Sequence, residues 1–411
     1  MITVDEAYDI IVGQSQYFGV DTVPFIESLG KVLKETIVAD RDFPPFDRVC
    51  MDGIAISAAA FENGKRSFLI EGVQAAGSPQ MTLENFENCL EVMTGAVLPK
   101  NTDAVIPYEL IAIENGMATV SVSSVVSLQN IHVKGKDRKI NDILIHENTC
   151  ITAAEIGVLA TVGKSYVKVL RQPKVMIIST GNELVGVDEV PLEHQIRRSN
   201  VFSLVSLLSV LQIKADTAHL PDDKESLKEN ISQFLKNYDT LLFSGAVSKG
   251  KFDYIPEVLN ELGVEKLFHK VKQRPGKPFW FGRSAVLSTS ELEEDKNTSK
   301  KQTVVFAFPG NPVSTYVNCL KYFYPWYKKS MGMSLDLPIA KLSEDFAFKP
   351  SMTYFLQVKL LQENGVLIAV PQTGNGSGDL ANLVEADAFI ELPEDRNEFK
   401  KGEAFPILRY R

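Results

Sequence analysis

"DTLLFSGAVSKGKFDYIPEVL", Asp239 to Leu259, opens as an apolar strand, turns at Gly245 and Gly250, and continues with the spacing of a helix. A strand-to-helix turn aims unpaired backbone N–H groups at one point and so makes a cradle for an anion. Ser244 and Ser248 add hydroxyl donors to that cradle. Asp253, at the helix start, is an acid where a phosphate should be repelled. The ligand of such a turn has to satisfy both.

The same rhythm extends on either side. "KVMIIST" (174–180), "IKADTAHL" (213–220) and "TVVFAFPG" (303–310) read as strands. "RSNVFSLVSLLSVLQ", capped near Ser199 or Asn200, "PDDKESLKENISQFLKN" and "NPVSTYVNCLKYFYPWYKK" read as helices. Strands alternating with helices imply a parallel sheet covered on both faces, with ligands bound beyond the carboxyl ends of the strands. Four such ends carry unusual turns. Glu183 follows one in "STGNEL", and Asp222 and Asp223 follow another in "LPDDKES". The cradle is the third, and "FPGNPVS" is the fourth, with Pro309 and Pro312 ahead of Ser314. Acids in a first helical turn also act as caps, and a Pro-Gly-Asn-Pro turn can be merely stiff. Capping does not explain why acids, glycines and donors collect on one rim of one sheet.

A cluster of cations follows in "HKVKQRPGKPFWFG", where Lys270, Lys272, Arg274 and Lys277 alternate with apolar positions around a Pro-Gly turn. A surface hairpin would carry the same pattern. In a chain of net charge −9, however, four cations beside a phosphate cradle supply the local field an oxyanion needs. Carboxylates and phosphate coexist when a hard divalent cation lies between them, and Mg²⁺ takes about one or two carboxylates plus substrate phosphate. The expected ligand is a phosphorylated or nucleotidylated small molecule with Mg²⁺, beside a site for a second anion.

The remainder of the 411 residues surrounds this section. A length of that order predicts several domains. The first forty residues show helical spacing in "TVDEAYDIIV" and "PFIESLGKVLKETI", which the Pro-rich "DFPPFDRVCMDG" interrupts. Short β-like runs dominate from Ile54 to Asp137, and "ITAAEIGVLATVG" reads as a helix capped at Thr152 and stopped at Gly163. Beyond Leu337 the pattern returns to β, as a small barrel or sandwich. "ELEEDKNTSKKQ" (291–302) reads as a solvated loop. The acidic balance argues against nucleic acid and anionic membranes as partners, and no apolar run approaches the roughly 20 residues of a membrane span. Cys50, Cys89, Cys150 and Cys319 form no CxxC pair, and the acidic start "MITVDEAYDIIVG" is unlike a signal peptide, so the expected location is cytoplasmic.

In chain order, "PPFDRVCMDGIA", "VMTGAVLPKNTDAVIPYE", "GKDRKINDIL", "STGNEL", "SGAVSKGKFDY", "RPGKPFWFG" and "FPGNPVSTY" resemble the motifs of the molybdopterin molybdenumtransferases, the MoeA family, related to the carboxy-terminal domain of gephyrin. The resemblance covers essentially the whole chain. It implies a multidomain α/β plus β protein with a discontinuous linking domain I (1–40 and 139–172) and an inserted β-rich domain II (41–138). A doubly wound α/β domain III (173–331) and a carboxy-terminal β-barrel domain IV (332–411) complete it. It also implies a homodimer whose active site lies between domain III of one subunit and domain II of the other.

The implied reaction takes adenylylated molybdopterin and molybdate to molybdenum-molybdopterin and AMP, assisted by Mg²⁺. Asp222 and Asp253 are the candidates for the metal, and Asp52, Thr94, Asp137 and Glu183 match family residues near the reacting groups. Ser244, Gly245, Ser248 and Gly250 would hold the pyrophosphate, and Lys270, Arg274, Lys277, Pro309, Pro312 and Ser314 the molybdate side. A molybdopterin adenylyltransferase and an apo-molybdoenzyme are the implied partners. The chain departs from the family at Ala246, Arg274 and Asn141, and in domain IV at Met352, Gln357, Ala381 and Asn382, where relatives carry arginines and serines. Lys359 or Ser377 could substitute there. Three other readings stay open: tungstate insertion, adenylylation of molybdopterin, and a gephyrin-like scaffold without catalysis.

Overall fold

The computed structural model describes residues 1–245, 254–284, 302–374 and 376–411, and the chain divides into two compact units. One comprises residues 1–21, 30–32 and 169–411, the other 22–29 and 33–168.

The first unit is built on a six-stranded sheet ordered Asp216–Leu220, Val175–Thr180, Thr240–Ser244, Val304–Phe308, Trp280–Arg283, Glu265–His269. The first four strands are parallel and the last two antiparallel. Alternate side chains divide between two cores, as strand geometry requires. Ile177, Leu242 and Phe306 face the Asn200–Val210 helix and the Pro312–Asn318 helix. Met176, Ile178, Leu241 and Phe243 face the Lys224–Asn237 and Ile255–Glu261 helices. The doubly wound sheet expected from the alternating pattern is therefore present, with an antiparallel edge the pattern did not reveal. Asp223 caps the Lys224–Asn237 helix through the Ser226 amide at 2.8 Å, which is the capping role acids in that turn allow.

Helix Pro312–Asn318 runs on through a π-helical segment, Cys319–Phe323, into Tyr324–Ser330. Pro325 has no amide to donate, and the widened segment precedes it. Beyond it, Thr353–Glu363, Val366–Pro371, Ile339–Leu342, Ala404–Arg409 and Ala388–Leu392 close into a five-stranded barrel around Leu356, Val358, Ile390 and Ile407. Closure leaves no exposed edge. The amino-terminal helix Val4–Val12, held by a Thr3–Glu6 capping box, buries Val4, Ala7 and Ile11 in the α/β core.

The second unit carries its own six-stranded sheet, ordered Ala104–Pro107, Gly53–Ile56, Cys89–Val92, Ser67–Gln74, Met117–Val120, Ile111–Glu114. Ile54 and Ile56 face one core and Ala55 the other. The Ala153–Thr161 helix begins at the expected Thr152, in a capping box with Glu155, and Gly163 at φ +69° follows its end. One expectation fails. "PFIESLGKVLKETI" is not a helix but a single 3-10 turn, Phe25–Glu27, followed by irregular chain. Pro24 precedes the turn in extended conformation and Gly30 takes φ +75°, so helical spacing between them has too little uninterrupted chain to propagate. Among the described residues no helix is long and apolar enough to cross a membrane.

In the first unit the barrel is tied to the helical layer by an internal ion pair. Lys321 Nζ lies 2.7 Å from both carboxylate oxygens of Glu391, with side chains only 7% and 14% exposed. Removing one partner strands a charge in low dielectric, whereas replacing both with apolar groups does not. Glu391→Ala is expected to lower unfolding stability by about 3–5 kcal/mol, and Lys321→Met with Glu391→Leu to recover most of it, as read from urea denaturation. Equal losses in the single and double variants would show that the pair is not the cause.

Candidate active site

The strand register prepares the site. Ser179 pairs with Ser244, and Ser244 with Phe308, so three parallel strands end level. The chain passes from Val175–Thr180 to the neighbour on one side, Asp216–Leu220, and then to the other, Thr240–Ser244. A crevice opens where a sheet reverses its order in this way. Here it is a cleft of about 430 Å³, lined by Glu183, Ser244, Gly245, Pro309 and Pro312 among the sequence candidates. Ser244 is buried, and its Oγ accepts from Asn200 Nδ2 at 2.9 Å. The same amide donates to Gly310 O at 2.7 Å, which ties the cradle strand to the "FPGNPVS" turn. Gly245 N donates to Phe308 O at 3.1 Å, a second tie between these turns.

Asp222 sits beside this rim. It accepts from Asn182 N at 3.3 Å and donates its own amide to Asn182 Oδ1 at 3.3 Å, one residue from Glu183. His219 Nδ1 lies 3.0 Å from Ser179 Oγ. Burial holds its pKa below the usual range, and the charge of Arg198 adds to that depression. Ser248, Gly250 and Asp253 lie outside the described residues.

The cationic segment turns beside a second cavity. Residues 270–279 connect the two antiparallel edge strands, which is the hairpin alternative realised at the sheet edge. Within it Gln273–Arg274 pairs in parallel with Thr353–Tyr354 of the barrel region. Arg274 is exposed, lies 5.9 Å over the Phe348 ring, and lines a cavity of about 410 Å³ with Gln357, Gln372 and Ser377. Ser377 Oγ accepts from Asn311 Nδ2 at 2.9 Å, which places this domain IV serine next to the proline-flanked turn. Gln357 is bound to Asn382 Nδ2 at 2.7 Å, so this neighbourhood is an amide network. Gly276 holds the turn at φ +91°, and a Cβ there would meet Asn318 and Gln273 at 2.8 Å. Lys272 is paired with Glu394 at 3.3 Å. Lys270 takes φ +74°, and Lys277 is exposed. Ser314 is buried in the first turn of its helix. Lys270, Lys277 and Ser314 line neither cavity.

In the second unit, Asp52 and Thr94 meet. Asp52 Oδ1 accepts from Thr94 N at 2.6 Å and from Thr94 Oγ1 at 2.7 Å. These two bonds, the amide first, hold the carboxyl pKa below the usual aspartate range. Gly53 follows at the start of its strand, where a Cβ would lie 1.9 Å from Ile106 O, so the "MDG" stretch admits only glycine there. Asp137 is exposed and pairs with His132 Nε2 at 2.8 Å, with its amide on Phe43 O at 2.9 Å.

The sequence reading missed Thr180, Arg197, Arg198 and the bridging role of Asn200, all of which line the first cleft. "RRSN" reads as the start of a helix, and its paired arginines in an acidic chain were the available signal.

Three family profiles match in chain order: the MoeA N-terminal region (domain I and II) over residues 2–163, the probable molybdopterin binding domain over 176–329, and the MoeA C-terminal region (domain IV) over 339–410. The chain is 39% identical over 414 residues to the molybdopterin molybdenumtransferase of Synechocystis sp., covering all of both chains. The chain belongs to the MoeA family. It is 30% identical to the molybdopterin molybdenumtransferase of Staphylococcus epidermidis over 99% of this chain and 95% of that one. The molybdopterin biosynthesis MoeA protein from Pyrococcus horikosii superposes with a TM-score of 0.79 at 28% identity, covering 100% of this chain and 99% of that one. MoeA-like architecture and enzyme character follow from this membership.

The Asp52–Thr94 pair makes a pH prediction. Thr94→Val removes the hydroxyl bond but keeps the amide bond, so the Asp52 titration should move upward, toward the ordinary aspartate value, without reaching it. Carboxyl ¹³C shifts followed over pH would show this. Because the folded pKa is depressed, the stabilisation from these bonds is present above the unfolded pKa and fades as pH falls through the folded one. An unmoved titration would assign the depression to another cause.

Proposed function

We propose that this MoeA-family enzyme inserts molybdenum into molybdopterin. Adenylylated molybdopterin and molybdate are the substrates, molybdenum becomes bound to the dithiolene sulfurs, and AMP is released. The observation that carries the reading is the pairing of two cavities on the same two turns. Pro275 and Val313 line one cavity, and Pro278 and Pro312 the other. Two anionic reactants bound there would meet across "RPGKP" and "FPGNP". Bringing them together is largely positioning and charge neutralisation.

In this reading the cleft at the strand ends takes the nucleotide and pyrophosphate. Ser244 and Gly245 form its floor, and Asn200 fixes its width. Arg274 faces the second cavity, and Lys277 adds charge from the same turn. Glu183 and Asp222 form an acidic lip. Among the described residues no three His, Cys, Asp or Glu side chains form a metal cage. In this reading Mg²⁺ would be held by one or two carboxylates plus substrate phosphate, with Asp222 as one proposed ligand and Asp253, outside the described residues, as the other. Mg²⁺ bound there would neutralise phosphate charge during cleavage. Asp52, Thr94 and Asp137 would act from domain II of the partner in a homodimer, within the four-domain division that the family resemblance implies. A cytoplasmic setting and hand-over from an adenylyltransferase to an apo-molybdoenzyme belong to the same proposal.

The deciding measurement is AMP release from adenylylated molybdopterin with and without molybdate. Molybdate-dependent release supports insertion. Tight binding without turnover would indicate a scaffold, and ATP-dependent formation of the adduct an adenylyltransferase. Parallel assays with tungstate test oxyanion preference.

Asp222→Asn is expected to lower Mg²⁺-dependent AMP release at least tenfold with an unchanged circular dichroism spectrum. Turnover at the wild-type level would remove Asp222 from the metal site. Lys277→Ala should raise the molybdate requirement more than the pterin requirement. The opposite order would move Lys277 to the nucleotide side.

A further inference from the structure

Two polar groups in the strand-end cleft lack partners. Thr180, the last residue of its strand, is 5% exposed, and its Oγ1 is buried with no hydrogen-bond partner among the described residues. Arg198 Nε is likewise buried and unpartnered. Both residues line the cleft. A buried donor without an acceptor is unfavourable, and native folds rarely leave one unless something else fills the place.

The neighbourhood shows that these groups are positioned rather than loose. Thr180 borders the cradle, since a Cβ on Gly245 would lie 3.6 Å from its Oγ1. Arg198 N donates to Val185 O at 3.1 Å, directly after the parallel pairing of Leu184–Val185 with Ile196–Arg197. Two arginines elsewhere in the chain have counter-ions: Arg171 meets Asp239 at 2.9 Å, and Arg283 meets Glu265 at 2.8 Å. Among the described residues no carboxylate lies within ion-pair distance of Arg198. Its neighbour His219 is held toward its neutral form by burial and by Arg198 itself, so the guanidinium is the stronger cation of the two.

We infer that Arg198 and Thr180 form a phosphoryl-binding subsite, which grips the phosphate of the adenylyl group and makes the cleft select a phosphorylated nucleoside over an unphosphorylated one. A guanidinium offers a planar fork of donors matched to two oxygens of one phosphoryl group, and the threonine hydroxyl supplies a further donor. The location is the reversal point of the sheet, where such ligands sit. The inference rests on the adenylylated substrate proposed above. Molybdate is also a tetrahedral oxyanion with the same chemistry, and the test separates the two.

Calorimetric titrations of the full chain with AMP, adenosine and molybdate, in wild type, Arg198→Gln, Arg198→Lys and Thr180→Val, decide it. Wild type should bind AMP more tightly than adenosine. Arg198→Gln should weaken AMP about tenfold, the loss of a charge-assisted contact, and leave adenosine and molybdate unchanged. Arg198→Lys should recover part of the loss. Thr180→Val should weaken AMP while raising the melting temperature of the free protein, because it removes an unsatisfied buried hydroxyl. A purely structural threonine would not produce that opposition. Unchanged AMP affinity in Arg198→Gln, an equal loss for adenosine, or a loss of molybdate instead would overturn the subsite. Inorganic pyrophosphate is the control for the larger reading. Arg198-dependent pyrophosphate binding without AMP binding keeps the subsite and removes the adenylyl assignment, and binding of neither overturns both.

Discussion

Level termination of three parallel strands is the constraint on which the site depends. Ser179, Ser244 and Phe308 occupy one row of the sheet, so the turns beyond them leave at the same height and share one space. Had the Thr240–Ser244 strand slipped by one residue, every side chain would change face and Phe243 would leave the core it shares with Leu227, Ile231 and Val258. The hydrophobic cores on both faces thus fix the register, and the register fixes the cleft. The carboxyl ends of two of these strands are polar: Ser179, Thr180 and Ser244 are buried hydroxyls after runs of Val, Ile, Leu and Phe. Asn200 satisfies Ser244 and His219 meets Ser179, while Thr180 retains its unpaired oxygen.

The second cavity is positioned by a different device. The Arg274 turn that lines it is held by a buried network in which Gln273 Nε2 donates to Asn318 Oδ1 at 2.7 Å, with Tyr322 O–H on Gln273 Oε1. Such networks stiffen a core when every member is satisfied. This one joins the edge turn, the helix after the "FPGNP" turn and its π segment, so Arg274 is presented by a rigid base although its guanidinium is exposed. Lys321, two residues before Phe323 at the end of that π segment, carries the connection on to barrel residue Glu391 and lies 5.3 Å over the Tyr8 ring of the amino-terminal helix. The widened turn therefore has a structural consequence, since it lies where three elements are fastened.

Much of this was legible because it is periodic. The alternating strands and helices of the α/β section, the Thr152 cap and the carboxy-terminal β pattern are local signals with local causes. The 24–37 segment misled because apolar spacing was compatible with a helix that Pro24 and Gly30 do not allow to grow. Asp52 and Thr94 were reached only through family resemblance, since each is an ordinary turn residue until 42 residues of chain fold back to join them. Asn200 and Arg198 were hidden for a related reason. A Ser-Asn pair before a helix already has a sufficient local explanation as a cap, yet Ser199 makes no side-chain cap bond here and the Asn200 amide reaches Gly310 instead. A local explanation that suffices conceals a tertiary one.

Charge of both signs gathers at the cleft, which the overall net charge of −9 does not suggest. Glu183 and Asp222 stand along the turns after two strands, while Arg197 and Arg198 enter from the segment leading into the Asn200–Val210 helix. A uniformly basic pocket would hold any anion in any orientation. Here the two signs are neighbours, since Ile196 N donates to Glu183 O at 2.9 Å and Leu184–Val185 pairs with Ile196–Arg197, so carboxylate and guanidinium groups moderate each other's field. Under the proposed function, an anion that brings a cation, or carries a polar neutral body beside its phosphoryl group, would suit such a mixed field better than a bare phosphate. In the proposed function Asp253, which lies outside the described residues, would add a carboxylate to that mixed field and so restrict further which anion can settle there.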